Sequence, residues 1–368
     1  MTQFAFIIHP LDTSDMARKY KIARYIPDAI LEPLLRYVPA REISHITGVK
    51  SPTGAQTEGW FIACTLTARQ LLHDPPERST AKILESCKLA ASLGADIVGL
   101  GAFTAVVGDG GITIADEMDI GVTTGNSYTV ATAVEGLLQA ARLIGHDTAH
   151  STVAVLGATG SIGSVCAKLL ADQVARVVLV GRRQEALDKL AQEVVQSSAE
   201  ASKCTVETST DVSATLGEAP LVVAVTSALE TVISPHDLLP GAVVCDVARP
   251  RDVGKAVADQ RADVLVIEGG VVAVPGEVEF NFNFGFPPRT AYACMAETMI
   301  LALEGHTGDY SLGRNMSLEG VRHIQSLAEK HGFHLAGFRS FEREVDQSTI
   351  DRVRELAGQA IQTYSQGA

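Results

Sequence analysis

The densest chemical signal in the chain is VAVLGATGSIGSVCAKLL at 153–170. It sets Gly157, Gly160 and Gly163 directly after an apolar strand pattern and at the opening of a helical one. One glycine in such a loop permits the tight turn, one lets backbone approach a pyrophosphate, and one lets the helix lie close to the strand. Thr159, Ser161 and Ile162 complete the loop, and the N-terminus of the following helix would receive the phosphate charge. Three glycines alone also suit an ordinary strand-to-helix turn; the strand, helix and next strand in register point to a dinucleotide. That next strand, VARVVLVG at 174–181, ends on Arg182 and Arg183, with no acid until Glu185. An NAD site places an acid there for the ribose 2′-hydroxyl, whereas guanidinium groups suit a 2′-phosphate, so the pair favours NADPH. The plainer alternative is an arginine on a surface turn. Thr226, Ser227, Ala228, Gly269 and Gly270 follow two later strands and are expected on the nicotinamide side, though each also suits plain loop chemistry.

The six cysteines stand at 64, 87, 166, 204, 245 and 294. None forms a C-x-x-C pair and no histidine follows at finger spacing, so no metal is expected. By type alone Cys294, in ACMAE, reads as a small core residue. Pro287 and Pro288 ahead of it suggest a helix start that would put it within the first two turns, where the helix dipole favours a thiolate. Glu297 shares its helix face and is a candidate to orient the thiol, relay a proton or simply stabilise the helix. Asn126 could donate to a developing oxyanion or cap the helix that follows it. His306 is either a proton donor or loop packing. The glycine-rich stretch from Gly99 to Gly108 is either one wall of a substrate site or a closely packed strand.

Positioning these residues needs a particular kind of scaffold. The chain has 368 residues, 46% hydrophobic, which predicts two domains, or two and a helical extension. Aromatics are 5%, and the formal charge of −13 lacks the global electrostatic footprint of a nucleic-acid or anionic-lipid binder. No basic leader and no apolar run of membrane-spanning length are apparent, so a cytoplasmic enzyme is expected. FAFII at 4–8 and WFIACTL at 60–66 read as strands, and 79–94 as a helix bearing Lys82 and Lys88 on its polar face. From 152 the strands and helices alternate, with near-continuous apolar strands as in a sheet covered on both faces. The predicted fold is α/β: an N-terminal α/β substrate domain over 1–125, a Rossmann-type parallel-sheet NADP-binding domain over 126–285 entered by a crossing helix at 126–145, and a C-terminal helical region over 286–368 carrying Cys294.

Several motifs resemble those of the long-chain acyl-[acyl-carrier-protein] reductases: GLGAFTAVV at 99–107, TTGNSYT at 123–129, VAVLGATGSIGS at 153–164, EGGVV at 268–272, YACMAETMILALEG at 292–305, GRN at 313–315 and HGF at 331–333. The resemblance runs nearly the whole length, patchily at the N-terminus, with shikimate-dehydrogenase-like proteins as wider relatives. It implies NADPH-dependent reduction of a fatty acyl thioester, on acyl carrier protein or coenzyme A, to a fatty aldehyde. It also implies a covalent thioester on the cysteine of the ACxAE segment, here Cys294. The alternative reading is a shikimate-dehydrogenase-like oxidoreductase of a small hydroxy acid or alcohol, which requires a Lys–Asp acid/base pair. An acidic carrier, if used, has Arg18, Lys19, Lys21 and Arg24 as its candidate dock, though a solvated helix face is the plainer reading of these charges.

Overall fold

The computed structural model describes residues 1–16, 21–197, 204–248, 250–314, 316–341 and 343–366. The chain forms two compact units: the first comprises Met1–Tyr128, Val272–Met316 and Arg322–His334, the second Thr129–Val271, Ser317–Val321 and Leu335–Ala368. Residues 286–368 are therefore shared: the helix Ala293–Glu304 belongs to the first unit and the helix Gln347–Gln366 to the second.

The first unit is built on a mixed six-stranded sheet. Strands β1 (Phe4–Ile8), β3 (Gln56–Ala63), β4 (Ile97–Leu100) and β5 (Gly121–Thr123) run parallel in the order β3-β1-β4-β5, and β2 (Arg41–Lys50) adds antiparallel to β3. A further strand, Gly276–Glu279, closes the far edge against β2. Neither it nor β2 has a clean apolar alternation, which is why the sequence reading passes over both. Alternation along β1 sends Ala5 and Ile7 toward a core with Ile83, Cys87 and Ala90 of the helix Pro76–Ser92. The opposite face carries Phe4, Phe6 and Phe61, all at most 1% exposed, each worth about 1.5–3 kcal/mol on burial. The helix Ala293–Glu304 packs against β1, β3 and β4. It comes close because β4 has Gly99: a Cβ there would lie 2.1 Å from Thr298 Oγ1 and 2.6 Å from the Phe6 ring. That glycine serves close packing of a buried strand.

The second unit holds an all-parallel sheet of β6 (Thr152–Leu156), β7 (Arg176–Val180), β8 (Thr205–Ser209), β9 (Leu221–Ala224), β10 (Val243–Asp246) and β11 (Leu265–Glu268). Their spatial order is β11-β10-β9-β6-β7-β8, which is the doubly wound Rossmann order. The fold is α/β, as the strand–helix alternation predicts. Every strand but β8 is almost entirely buried, hence the apolar runs; β8 lies at the edge with a half-exposed TVETS sequence that carries no apolar signal. Among the described residues no helix is long and apolar enough to cross a membrane, and no cluster of three or more His, Cys, Asp or Glu could hold a metal ion.

Candidate active site

In the second unit the residues expected around a dinucleotide all follow the carboxyl ends of parallel strands. The loop after β6 turns at Gly157, whose φ is +76°. A Cβ there would stand 2.8 Å from the Val225 carbonyl oxygen, and one on Gly163 would stand 2.4 Å from the Gly157 carbonyl oxygen. Both glycines are thus fixed by sterics, one by turn geometry and one by the helix lying on the loop. The helix Ser161–Leu170 opens at Gly160 with no side-chain cap, so its first-turn N–H groups are not claimed by a capping side chain. Thr159 and Gly160 are exposed, and Ser161 and Ile162 half-buried. A cradle of bare backbone at a helix N-terminus, kept open by glycines that no larger residue could replace, fits a pyrophosphate.

Arg182 and Arg183 are exposed directly beyond β7, and among the described residues neither holds an ion pair. At the end of β9, Ser227 is exposed and Ala228 half-buried. Thr226 is committed elsewhere: its hydroxyl and its backbone N–H both donate to the carboxyl of Asp252, the latter at 2.9 Å. Asp252 is fully buried, and burial pushes its pKa up against the hydrogen bonds from Thr226. It fixes the loop after β9 and has no signature in the sequence. Gly269 and Gly270, beyond β11, are buried, and a Cβ on Gly269 would meet Val247 at 2.5 Å.

The first unit gathers the candidate catalytic residues. Pro287 and Pro288 do not begin the cysteine helix. A short strand, Thr290–Tyr292, intervenes, and the helix starts at Ala293 without a side-chain cap. Cys294 is therefore its second residue, in the first turn rather than merely within two. It is half-buried, while Cys64, Cys87, Cys166, Cys204 and Cys245 are buried. Burial pushes the Cys64 and Cys166 thiols up to about 11 and 12, and those of Cys87 and Cys204 upward as well. Against Cys294 lies the TTGN turn. Gly125 has φ +73°, and a Cβ on it would sit 2.4 Å from both Cα and Cβ of Cys294.

Glu297 is fully buried. Its Oε1 accepts from the hydroxyls of Thr123 at 2.5 Å and Ser311 at 2.7 Å, and its Oε2 accepts from the Tyr128 N–H at 2.7 Å. Tyr128 lies in the first turn of the helix Asn126–Ile144, so a carboxyl from one helix caps the N-terminus of another. The Ser127 N–H donates to Ser311 Oγ at 3.3 Å. Burial raises the pKa of Glu297 above its ordinary value, opposed by the bonds from Thr123, Tyr128, Ser311 and Gly125. Tyr310, half-buried near that carboxyl, is pushed up to about 12, by burial first and by Glu297 second.

Asn126, the first residue of its helix, is half-buried beside Gly125. Two first-turn donors of that helix are capped by Ser311 and Glu297, not by Asn126. His306 follows Gly305, which ends the cysteine helix in a left-handed conformation, and its ring meets Tyr310 edge-on at 5.8 Å. Gly125, Tyr128, Tyr310 and Ser311 are the members of this assembly that the sequence reading does not single out. A glycine inside TTGN, ahead of a long helix, is the one signal that could have flagged the turn.

Residues 139–268 match the family model for shikimate / quinate 5-dehydrogenase. The aminotransferase PigE of Serratia sp. (strain ATCC 39006) is 33% identical over 317 residues, which cover 85% of this chain and 36% of PigE. The chain thus spans little more than a third of that relative. The long-chain acyl-[acyl-carrier-protein] reductase of Synechococcus elongatus (strain ATCC 33912 / PCC 7942 / FACHB-805) is 31% identical over 311 residues, 80% of this chain and 87% of the reductase. Among solved structures, quinate dehydrogenase from Corynebacterium glutamicum in complex with NAD covers 89% of this chain and 98% of its own, at 11% identity and a TM-score of 0.39. The ligand-free 5-ketofructose reductase of Gluconobacter sp. strain CHM43 covers 89% of this chain and 99% of its own, at 12% identity and a TM-score of 0.37. With nearly a third of aligned positions identical over most of both chains, and with ACMAE at the start of a helix beside the TTGN turn, the protein belongs to the long-chain acyl-[acyl-carrier-protein] reductase family.

Proposed function

We propose that this chain, an NAD(P)-dependent oxidoreductase, reduces a long-chain fatty acyl thioester to a fatty aldehyde through an acyl group held on Cys294. The observation that carries this reading is the setting of Cys294. It is the half-buried member of six cysteines and the second residue of a helix whose first turn lacks a side-chain cap. Thiolate character is favoured there by the helix dipole, and reaction requires the access that buried thiols lack.

The Cys294 sulfur attacks the thioester carbonyl carbon, the bond to the carrier sulfur breaks, and the carrier leaves as its thiol, taking up one proton. The Asn126 amide, not needed for capping, donates toward the oxyanion that forms during attack. Glu297 is a positioning group: it holds Thr123 and Tyr128, and with them the Gly125 turn against Cys294. Gly157, Gly160 and Gly163 would hold NADPH, with Arg182 and Arg183 at its 2′-phosphate, and the bound cofactor would supply the hydride needed to reduce the enzyme-bound thioester. Hydride addition would leave a thiohemiacetal anion, which collapses by breaking its carbon–sulfur bond, releasing the aldehyde and freeing Cys294 as its thiolate. The alternative chemistry of a small hydroxy acid has less support, since it needs a Lys–Asp pair. Lys82 is buried but bonded to Glu85 at 2.8 Å, and Lys88 is exposed.

Intact-mass measurement after incubation with palmitoyl-CoA and no NADPH tests the reading. One acyl mass, removable by hydroxylamine and missing from Cys294→Ala, is expected, and that variant should bind NADPH yet lose thioester reduction. Near-wild-type turnover by Cys294→Ala, or an acyl label on another cysteine, would overturn it.

A further inference from the structure

Four of the chain's eleven phenylalanines fall within residues 280–286, in the segment FNFNFGF. A core needs no such concentration in a connection between two short strands, Gly276–Glu279 and Thr290–Tyr292. The segment is not a regular strand, and its backbone turns through positive φ at Asn281 (52°), Gly285 (93°) and Arg289 (59°). Asn281 ties it to the sheet by donating to the His45 carbonyl at 2.9 Å.

The rings form one continuous run. Phe61 of β3 stacks on Phe280 at 5.9 Å and meets Phe282 and Phe284 edge-on at 6.4 and 5.3 Å. Phe280 meets Phe284 at 5.1 Å, Phe284 stacks on Phe286 at 5.4 Å, and Phe286 meets Tyr292 edge-on at 4.3 Å. Burial changes along the run. Phe61 and Phe280 are core, at 0% and 8% exposure, whereas Phe282, Phe284, Phe286 and Tyr292 are half-buried. Tyr292 is the residue on which the cysteine helix begins, two positions before Cys294. The inner rings anchor the run, and the outer rings offer partly uncovered aromatic surface that reaches Tyr292, two positions before Cys294.

We propose that Phe282, Phe284, Phe286 and Tyr292 form the rail along which the hydrocarbon chain of the acyl group lies, making this segment the determinant of acyl-chain length. The proposal rests on the reading of Cys294 as acyl carrier, which fixes one end of the ligand. A flexible alkyl chain has no polar group to satisfy, and its recognition comes from apolar surface taken from water in proportion to length. Short acyl groups would reach only Tyr292, the ring nearest Cys294 in the run, and gain little from the rings beyond it.

The test separates the rail from the nucleophile. Rates of Cys294 acylation are measured by intact mass for butyryl-CoA and palmitoyl-CoA, in wild type and in Phe282→Ala, Phe286→Ala and the conservative Phe286→Leu. In parallel, binding of a non-hydrolysable palmitoyl thioether analogue of CoA is measured against its butyryl counterpart in Cys294→Ala and in Cys294→Ala/Phe286→Ala. Expected is a loss on the order of tenfold for palmitoyl and little change for butyryl in the alanine variants, with Phe286→Leu retaining most of the long-chain rate. Equal losses for both lengths, or a palmitoyl preference untouched in all three variants, would overturn the rail. Wild type that takes no acyl group on Cys294, while the palmitoyl analogue still binds more tightly and loses that preference with Phe286→Ala, would sink the nucleophile and leave the rail standing.

Discussion

Replacing Gly125 by alanine is the sharpest probe of how the thiol is held. The backbone at 125 is left-handed, φ +73°, a conformation costing an L-residue about 1–2 kcal/mol. The added Cβ would also lie 2.4 Å from Cα and Cβ of Cys294 and 2.7 Å from its carbonyl oxygen. Backbone atoms cannot swing aside as a flexible side chain does, and forcing one methyl into such a contact costs about 1–3 kcal/mol. A total of about 2–5 kcal/mol is a large part of the roughly 5–15 kcal/mol that stabilises an ordinary domain. The turn should therefore yield rather than the fold, and a shift on the order of 1 Å at a reacting atom costs about a hundredfold in rate. Gly125→Ala should fold with a lowered Tm, bind NADPH as wild type does, and acylate Cys294 about a hundredfold more slowly. Differential scanning fluorimetry, NADPH titration and timed intact-mass acylation measure the three quantities. Wild-type acylation by a folded Gly125→Ala protein would refute the close-contact reasoning.

Glu297→Gln tests the buried carboxyl by pH. Its folded pKa lies above the ordinary 4.5, so between those values the folded state binds the extra proton, and wild-type stability falls as pH rises through that window. The glutamine variant lacks this dependence, so urea midpoints should move in its favour with rising pH; parallel profiles would remove the assignment. Changing Arg182 and Arg183 to alanine should raise KM for NADPH by about tenfold or more and leave KM for NADH nearly unchanged, as steady-state kinetics would read. Equal losses for both cofactors would discard the 2′-phosphate role. Charge reversal at the basic stretch, of which Lys21 is exposed and Arg18, Lys19 and the Arg24 side chain lie outside the described residues, should weaken kcat/KM for acyl carrier protein more than for acyl-CoA. The same loss with both substrates would remove the docking idea.

What the sequence reveals and what it conceals divide along physical lines. The glycine loop after β6 is legible because its glycines answer to local sterics, within one turn and one helix start. Strands β6, β7, β9, β10 and β11 are legible because burial on both faces leaves uninterrupted apolar runs. The edge strand β8, the polar β2 and the Gly276–Glu279 strand are not, because exposure removes the pattern. Pro287 and Pro288 mislead about the helix start since no capping side chain marks Ala293. By type alone Cys294 is a small apolar residue, and only the ACMAE resemblance distinguishes it. Lys82 reads as a polar-face residue but is buried, its ammonium kept paired with Glu85. The GRN motif ends on Asn315, which lies outside the described residues.

The bonds that Thr123, Tyr128 and Ser311 make to the Glu297 carboxyl also bear on when the thiol's surroundings come into being. Thr123 and Tyr128 lie 174 and 169 positions before it, and Ser311 fourteen after. The contacts of Thr123 and Tyr128 form late, because each must first repay the entropy of closing a long loop. On a ribosome, a nascent chain that has exposed Cys294 but not Ser311 holds that thiol without its complete frame. Glu297, still short of a donor, would stay hydrated, since burying it unsatisfied is costly. A chain truncated after Glu304 therefore should carry the cysteine and the glycine loop after β6 and yet leave the thiol unselective, alkylated by iodoacetamide at the rate of an unfolded peptide. Protection from non-specific alkylation in that fragment would mean that the frame assembles without its last strut.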